Sequence, residues 1–283
     1  MAENGHELKT SLVLVDGHNL LWRAAFGFPA RIRSRSGIDR TATFGFFALL
    51  RVAAKEIDGP CEWVVCFDGE NGAARRRHTE SAYKQNRASI DLAPLQALPD
   101  VKAGLEHIGI PWIEERENEA DDLIATLIAA QAGGRVFVFS TDRDFYQLLS
   151  NLVYVLNTAM KAGSRVVGPS HVMQRFGVSP IQWCDFRALT GDPADNIAGV
   201  RGVGPRIAAR LLSGGAKLEE LDVLGRLTGR LGPLIQSSLP QLLNTREILR
   251  LRTDAPVLCP VQGGAFVNPP RPADVLQALG LWS

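Results

Sequence analysis

The sequence has none of the features that mark a secreted or membrane-spanning protein. Its first ten residues, MAENGHELKT, are polar and lack the basic and then apolar order of a signal peptide. The longest apolar stretches are far shorter than the roughly 20 residues that a membrane-spanning helix needs. The four cysteines form no C-x-x-C pair, which favours buried free thiols over a disulfide framework or a zinc site. We therefore expect a cytoplasmic protein with no membrane partner.

The chain also has almost no net charge, yet its charges are unevenly distributed. The 31 lysines and arginines and the 30 acids give a formal charge of +1 at pH 7. Residues 31–40 and 75–87 are basic, whereas the segments NEADD and GDPADN are acidic. One such run alone is usually a solvated face of a protein. Together the runs favour a polyanionic partner that is held by basic segments around an acidic, metal-binding centre.

Three apolar runs, LVLVDG, WVVCFDG and VFVFSTDRD, lead into aspartates, namely Asp16, Asp68, and the pair Asp142 and Asp144. Short continuous apolar runs indicate parallel strands that are buried on both faces, and ligands bind beyond the carboxyl ends of such strands. A lone Asp-Gly is more often a helix cap or a turn. Four acids at three strand ends favour a divalent-metal site, because carboxylates this close stay ionised only when cations offset them.

The alternation of strands and helices predicts an α/β domain over residues 1–168, with a central parallel sheet flanked by helices. The basic segment 70–91 has little apolar content, so we expect it to be exposed and helical, or mobile. From Gly168-Pro169 onward the pattern predicts a helical domain over 169–283. Strands are predicted at 11–15, 62–67, 110–115, 135–140 and 152–156, and helices at 41–57, 99–109, from about 119–121, at 169–176, 180–190 and 205–213, and more weakly at 217–228, 232–244 and 271–280.

Two further segments add carboxylates. Glu119, Asp121 and Asp122 lie at a predicted helix start, where the helix dipole favours acids in any case. In regular helix geometry Asp121 points away from the other two, so all three can face one site only if Glu119 lies at or before the first turn. Asp192 and Asp195 follow in the segment GDPADN at a spacing of three.

The segment 191–212, GDPADNIAGVRGVGPRIAARLL, continues with a short predicted helix, a Gly-x-Gly turn and a second helix. Glycines let the backbone approach a phosphate closely, and a helix N-terminus offers free N–H groups to an anion. The pattern predicts a helix-hairpin-helix that binds DNA, with a plain corner between two helices as the alternative.

Six segments, in this order, resemble the bacterial and phage 5′ nucleases of the flap endonuclease type, which include the 5′-nuclease domain of DNA polymerase I. They are VDGHNL, VCFDG, YKQNR, NEADDLIA, STDRDFYQLL and WCDFRALTGDPADNIAGVRGVGPRIAARLL, and they span about residues 11–255. The resemblance implies a PIN-like 5′-nuclease core, with a helical arch or clamp at about 70–91, followed by the helical domain with its helix-hairpin-helix at about 191–212. No polymerase follows, so we expect a free-standing member.

The resemblance also implies the metal ligands. In such nucleases a first group matches Asp16, Asp68, Glu119 and Asp121. A second group matches Asp142, Asp144 and Asp192, with Asp122 and Asp195 as outer contributors. The expected metals are Mg²⁺ or Mn²⁺, two or more per site, which suit hard oxygen ligands. They would activate water, hold the phosphodiester and stabilise the leaving 3′-oxygen.

The resemblance assigns the remaining site residues to DNA. Lys84 and Arg76 match cations of the arch that neutralise the phosphate, although Arg75 and Arg77 leave the register of Arg76 open. Tyr83 would stack on a base, and Arg87 would contact the DNA. The residues expected to hold the duplex are Gly202, Gly204 and Arg206, and those expected to bind K⁺ through main-chain carbonyls are Val200 and Val203.

Such contacts position DNA without reading its sequence. The expected activity is therefore that of a structure-specific 5′–3′ exonuclease and flap endonuclease, which cuts at 5′ flaps, nicks or gaps during replication and repair. We expect a monomer with a functional link to a DNA polymerase and a ligase. A PIN-like ribonuclease would normally lack the long helical half, a non-catalytic DNA-binding relative would have lost carboxylates, and a small-molecule phosphatase would need no basic arch.

Overall fold

The computed structural model describes residues 10–80, 83–85, 92–257 and 268–283. These residues form a sheet of six strands in the order β3-β2-β1-β4-β5-β6. Strands β1 to β5 are parallel, and β6 is antiparallel to β5. The strands are β1 (Ser11–Asp16), β2 (Cys61–Asp68), β3 (Trp112–Glu115), β4 (Val136–Phe139), β5 (Val153–Leu156) and β6 (Val166–Val167). The predicted central parallel sheet is confirmed.

Strand β1 explains why the sequence shows continuous apolar runs rather than an alternation. All six of its residues are buried. Leu12 and Leu14 pack into one hydrophobic cluster, and Val13 and Val15 pack into another on the opposite face. Since successive side chains of a strand point to opposite faces, both faces of the sheet are covered.

Helices cover each face of this sheet. Helices α1 (Gly17–Gly27), α2 (Thr41–Ala54), α4 (Leu98–His107) and α10 (Pro272–Ala278) contribute to the cluster around Val13. The opposite cluster joins α5 (Ala120–Ala130) to α6 (Pro169–Phe176), α7 (Trp183–Thr190), α8 (Pro205–Leu211) and α9 (Gly232–Leu249). The helical half therefore shares a hydrophobic core with one face of the sheet. The domain division near residue 168 stays a prediction.

Several local expectations differ from the structure. Helix α1 was not predicted, because it begins directly after β1 with Asp16 as its N-cap and no loop separates the two elements. The helix predicted over 217–228 is wrong, since that range contains only a 3₁₀ turn at Leu218–Glu220. Its apolar residues Val223 and Leu224 are exposed, so no hydrophobic face stabilises a helix there.

The basic segment 70–91 contains helix α3 (Ala74–Thr79). The expectation that this segment is exposed is wrong for Arg76 and Tyr83, which are 8% and 4% exposed. Both side chains are covered because they contact the buried carboxylate of Glu119. Residues 81–82 and 86–91 lie outside the described part of the chain, and so does Arg87. Among the helices that the structure describes, none has the length and hydropathy of a membrane span.

Candidate active site

The carboxyl edge of the sheet gathers the predicted aspartates. Asp16 ends β1, Asp68 ends β2, and Asp142 and Asp144 follow β4. Strand β1 lies between β2 and β4, so these strands deliver their acids to adjacent positions. The order of the sheet reverses between β1 and β4, and ligands of open α/β sheets bind at such a point.

Asp16 is held by hydrogen bonds on both carboxylate oxygens. Its Oδ1 accepts from the backbone N–H of Asn19 at 3.1 Å, and its Oδ2 accepts from Ser140 Oγ at 2.8 Å. Ser140 Oγ in turn accepts from the backbone N–H of Asp142 at 3.0 Å, which links two of the acids. Burial, with the nearby charges of Asp68 and Asp142, raises the pKa of Asp16 to about 7.

Asp68 is tied to the start of α5. Its Oδ1 accepts from the backbone N–H of Ala120 at 2.8 Å, while its own N–H donates to His18 Nδ1 at 3.0 Å. His18 Nδ1 also lies 3.6 Å from Asp68 Oδ2. A Cβ on Gly69 would lie 1.9 Å from the Glu115 carbonyl oxygen, so the turn after Asp68 requires glycine.

The start of α5 meets the condition under which Glu119 and Asp121 can face one site. Glu119 is the N-cap, with extended backbone at φ −78° and ψ 154°, and so lies before the first turn. Burial raises the pKa of Asp121 well above its usual range, Lys84 opposes this shift, and the charges of Asp16 and Asp142 add to it. The assignment of Asp121 to the same site as the strand-end acids stays a prediction.

Asp122 interacts with a different set of groups. Its Oδ1 accepts from Arg76 Nη2 at 2.7 Å and from the backbone N–H of Arg252 at 2.9 Å. Arg76 Nε also donates to the carbonyl oxygen of Ile248 at 3.1 Å. The structure thus places Asp122 against α3 and the chain that follows α9.

The cations predicted to contact DNA lie against Glu119. Lys84 Nζ is 2.5 Å from Glu119 Oε1, the Tyr83 hydroxyl donates to Oε2 at 3.4 Å, and Arg76 forms an ion pair with the same carboxylate. The backbone N–H of Lys84 donates to the carbonyl oxygen of Asp195 at 3.0 Å. Here the positive charges of Lys84 and Arg76 neutralise Glu119, so their roles on a phosphate, and the stacking of Tyr83, stay predictions.

The second group of acids forms a compact cluster. Single carboxylate oxygens of Asp144, Asp192 and Asp195 lie within 4.8 Å of one another, and all three residues are buried. Burial, with the charges of Asp142 and Asp195, raises the pKa of Asp144 to about 8. Arg187 on α7 pairs with Asp192, and its Nε is 4.0 Å from Asp144 Oδ1.

These residues fit a divalent cation. The donors are carboxylate oxygens, which hard ions such as Mg²⁺ and Mn²⁺ prefer. The raised pKa values of Asp16 and Asp144 show that burial and mutual repulsion disfavour the fully ionised cluster. A bound cation would remove that repulsion, because it would favour the ionised carboxylates.

The glycine turn of the predicted helix-hairpin-helix is present, but the element before it differs. The short helix expected just before the turn is wrong, since α7 ends at Thr190 and residues 191–204 contain turns and a β-bridge between Asp192 and Ile197 but no helix. A Cβ on Gly199 would lie 2.3 Å from the Thr190 carbonyl carbon, so the returning chain packs directly on the end of α7. Helix α8 follows Gly204 as predicted.

The turn itself exposes backbone. Gly202 has φ +87° and is exposed, as are Gly204 and Arg206. The side chains of Val200 and Val203 are buried, and the Val203 N–H donates to the Val200 carbonyl oxygen at 2.9 Å. Buried valines thus anchor an exposed glycine turn. The DNA contacts and the K⁺ site stay predictions.

Sequence reasoning missed several polar residues that support the acids. Asn19 Oδ1 accepts from both the backbone N–H and the hydroxyl of Thr141. Ser140 donates to Asp16, and His18 accepts from the backbone N–H of Asp68. These residues lie inside the segments VDGHNL and STDRD, so attention to all polar residues there would have found them. Arg252 carried no such signal, because its contact with Asp122 spans 130 positions.

Two family models cover most of the chain. Residues 11–177 match the 5'-3' exonuclease, N-terminal resolvase-like domain, and residues 178–271 match the 5'-3' exonuclease, C-terminal SAM fold. The chain is 35% identical over 254 residues to the thermostable DNA polymerase I of Thermus thermophilus, which covers 89% of this chain and 30% of that protein. It is 36% identical over 213 residues to DNA polymerase I of Deinococcus radiodurans, with 75% and 21% covered. The chain thus spans less than a third of these relatives.

Solved structures show the same fold. A T5 5'-exonuclease with bound zinc ions has a TM-score of 0.69 at 21% identity, covering 86% of this chain and 90% of that one. Human GEN1 in complex with Holliday junction DNA has a TM-score of 0.57 at 18% identity, covering 95% of this chain and 67% of that one. The predicted α/β core with a helical C-terminal half is confirmed. The chain belongs to the 5'-3' exonuclease family.

Proposed function

We propose that this chain is a divalent-metal-dependent, structure-specific 5′ nuclease, which hydrolyses phosphodiester bonds at 5′ flaps, nicks or gaps in DNA. The observation that carries the proposal is the clustering of buried carboxylates at the carboxyl edge of the sheet, with Lys84 among them. Buried like charges at this density are costly in a protein without a cation to bind. Membership of the 5'-3' exonuclease family supports the same reaction.

The residues that would hold Mg²⁺ or Mn²⁺ form two groups. The first contains Asp16, Asp68, Glu119 and Asp121, and the second contains Asp142, Asp144, Asp192 and Asp195, with Asp122 behind the first group. When bound, the metals would supply Lewis acids that stabilise charge on the phosphate and lower the pKa of water. The hydrogen bonds from Asn19 and Ser140 fix the orientation of the Asp16 carboxylate for this role.

Lys84 supplies a positive charge close to the acids. The negative charge of Glu119, added to by Asp121 and Asp195, outweighs its burial and raises its pKa well above the usual value. Lys84 therefore remains protonated, and we assign it electrostatic stabilisation of the phosphate rather than proton transfer. Its backbone bond to Asp195 keeps it beside the second group when its side chain leaves Glu119.

Duplex DNA would bind at the glycine turn around Gly202 and Gly204. Exposed backbone and the exposed Arg201 and Arg206 present N–H groups and positive charge, which suit phosphates of any sequence. A T5 flap endonuclease with the same fold has been solved in complex with DNA and metal ions. The proposal has four further parts. We propose that the carbonyls of Val200 and Val203 bind K⁺ and that the protein works with a polymerase and a ligase. We also propose that it is a monomer and that it is cytoplasmic.

Cleavage of defined substrates tests this function. A 5′-labelled flap DNA, its linear duplex and a single-stranded RNA of matched sequence are incubated with Mg²⁺ or Mn²⁺, and again with EDTA. We expect cuts near the junction of the flap DNA that EDTA abolishes. RNA cleavage without flap cleavage would instead indicate a PIN-like ribonuclease, and no metal-dependent cutting of any branched DNA would refute the proposal.

A further inference from the structure

Gln147 makes hydrogen bonds at both ends of its side-chain amide. It lies in the 3₁₀ turn Asp144–Leu148. Its Nε2 donates to the carbonyl oxygen of Asp144 at 2.8 Å and to that of Leu249 at 3.0 Å. Its Oε1 accepts from the backbone N–H of Leu251 at 3.0 Å and from Cys184 Sγ at 3.3 Å. Two donors and one double acceptor use the full capacity of a glutamine amide.

These partners come from distant parts of the chain. Asp144 belongs to the second carboxylate group, Cys184 lies on α7, and Leu249 and Leu251 belong to the segment at the end of α9. Burial and the Asp144 charge raise the pKa of Cys184 to about 12, so the thiol keeps its proton and can donate. Gln147 therefore connects the backbone of one candidate metal ligand to two helices of the C-terminal half.

The segment that Gln147 contacts, residues 249–255 (hereafter the strap), also binds α5. The Arg252 N–H donates to Asp122 Oδ1 at 2.9 Å, and the Ala255 N–H donates to Thr126 Oγ1 at 3.1 Å. The Thr126 hydroxyl itself donates to the carbonyl oxygen of Asp122 at 2.8 Å. Helix α5 begins directly after Glu119 and carries Asp121. The strap thus contacts α5, which carries Asp121 of the first carboxylate group. It also contacts Gln147, which bonds the backbone of Asp144 in the second group.

We propose that Gln147 is a positioning residue, which fixes the second carboxylate group relative to the first by joining the turn at Asp144 to the strap. This proposal rests on the proposed function, in which Asp144 holds a metal. Gln147 Nε2 joins the carbonyl oxygen of Asp144 to that of Leu249, so loss of this side-chain amide frees the backbone that carries the Asp144 carboxylate. Loss of a group that supports a metal ligand typically lowers metal affinity or activity by about 10–100-fold.

Two substitutions and a matched control separate positioning from general stability. Gln147→Met keeps the length of the side chain and removes its hydrogen bonds, while Gln147→Glu keeps the acceptor contacts and loses the donor contacts. Gln182 is the control, because its side-chain amide is also bonded at both ends, although it is more buried than Gln147. Its Nε2 donates to the carbonyl oxygens of Leu212 at 2.6 Å and Ala216 at 2.9 Å, and its Oε1 accepts from the N–H and the hydroxyl of Ser179. These partners lie in the helical half, so Gln182→Met removes a buried amide without touching the turn at Asp144.

The experiment measures Mn²⁺ binding to each DNA-free protein by electron paramagnetic resonance, together with Tm, flap-DNA affinity in Ca²⁺ and cleavage against Mn²⁺ concentration. For Gln147→Met and Gln147→Glu we expect the concentration of Mn²⁺ at half-saturation to rise by about 10–100-fold, with flap-DNA affinity unchanged. Gln182→Met should lower Tm and keep the wild-type Mn²⁺ affinity.

A wild-type Mn²⁺ affinity in either folded Gln147 variant, or an equal loss in Gln182→Met, would overturn the positioning role. If Gln147→Met does not fold, Gln147→Glu carries the comparison. Failure of the wild type to cut DNA while it binds Mn²⁺ would refute the proposed function alone, because the binding isotherms still compare the variants. Absence of Mn²⁺ binding by the wild type would overturn both.

Discussion

Replacement of Arg76 by methionine distinguishes a structural cation from one that acts on the substrate. In the structure the guanidinium donates to Glu119, Asp122 and the carbonyl oxygen of Ile248, and it is buried. Two carboxylates outweigh the effect of burial and raise the pKa of Arg76 above its usual value, so the group is always charged. Methionine fills a similar volume and removes the charge and the three hydrogen bonds.

The expected loss of stability depends on which hydrogen bonds Glu119 and Asp122 keep when Arg76 is removed. Breaking a buried ion pair by removing one partner costs about 3–5 kcal/mol. Glu119 retains Lys84 Nζ at 2.5 Å, and Asp122 retains the Arg252 N–H at 2.9 Å, which places the cost at the lower end. For a chain of this size, a loss of about 3 kcal/mol lowers Tm by roughly 6 °C.

Differential scanning calorimetry in EDTA measures this shift. Arg77→Met is the matched control, because Arg77 lies on the same helix, is exposed, and should change stability by no more than about 0.5 kcal/mol. Mn²⁺ should stabilise Arg76→Met more than the wild type, since the variant leaves more negative charge for a cation. A Tm equal to that of Arg77→Met, combined with a large loss of flap cleavage, would refute this reasoning and assign Arg76 to the substrate.

Three further predictions concern the acids and Lys84. In EDTA, the contribution of Asp16 and Asp144 to stability is fully present below the unfolded pKa of about 3.9, and it is lost as pH rises through their folded pKa values of about 7 and 8. Tm measured from pH 5 to 9 should therefore fall less in Asp144→Asn than in the wild type, and parallel curves would contradict the raised pKa. Asp142→Ala should abolish cleavage and leave flap-DNA binding intact in gel-shift assays, so a near-wild-type rate would mean that the site is misassigned. Lys84→Ala should slow the single-turnover rate more than it raises the Kd, whereas a change in Kd alone would make Lys84 a general phosphate contact.

The strand-end acids were predictable because burial on both faces imposes a distinctive composition. Strands β1, β2 and β4 are continuous apolar runs, and parallel strands bring their carboxyl ends to one edge. The place of Asp121 was open in the sequence, because it depends on whether Glu119 adopts extended or helical backbone. That choice is made by the capping geometry at the start of α5, which residue spacing does not specify.

The burial of Arg76 could not be predicted from local pattern. Three neighbouring arginines in RRRH look alike in sequence, and the partners that select the middle one are 43, 46 and 172 positions away. The contacts of Gln147 could not be predicted from local pattern either. The Leu249 carbonyl oxygen and the Leu251 N–H that it bonds lie more than 100 positions along the chain. Contacts at such separations depend on the packing of the helical half against the sheet.

The position of the strap late in the chain affects when the candidate site can be completed during synthesis. Residues 249–255, which begin with the last residue of α9, emerge from the ribosome after the sheet and after α7 and α8, yet they supply partners for Asp122 and Gln147. A nascent chain that stops before the strap leaves these buried groups without those partners, and domains form from the N-terminus as they are made. We therefore expect the candidate metal ligands to reach their final arrangement only after the helical half has been made, so that the proposed cleavage centre is completed together with the half proposed to hold the DNA.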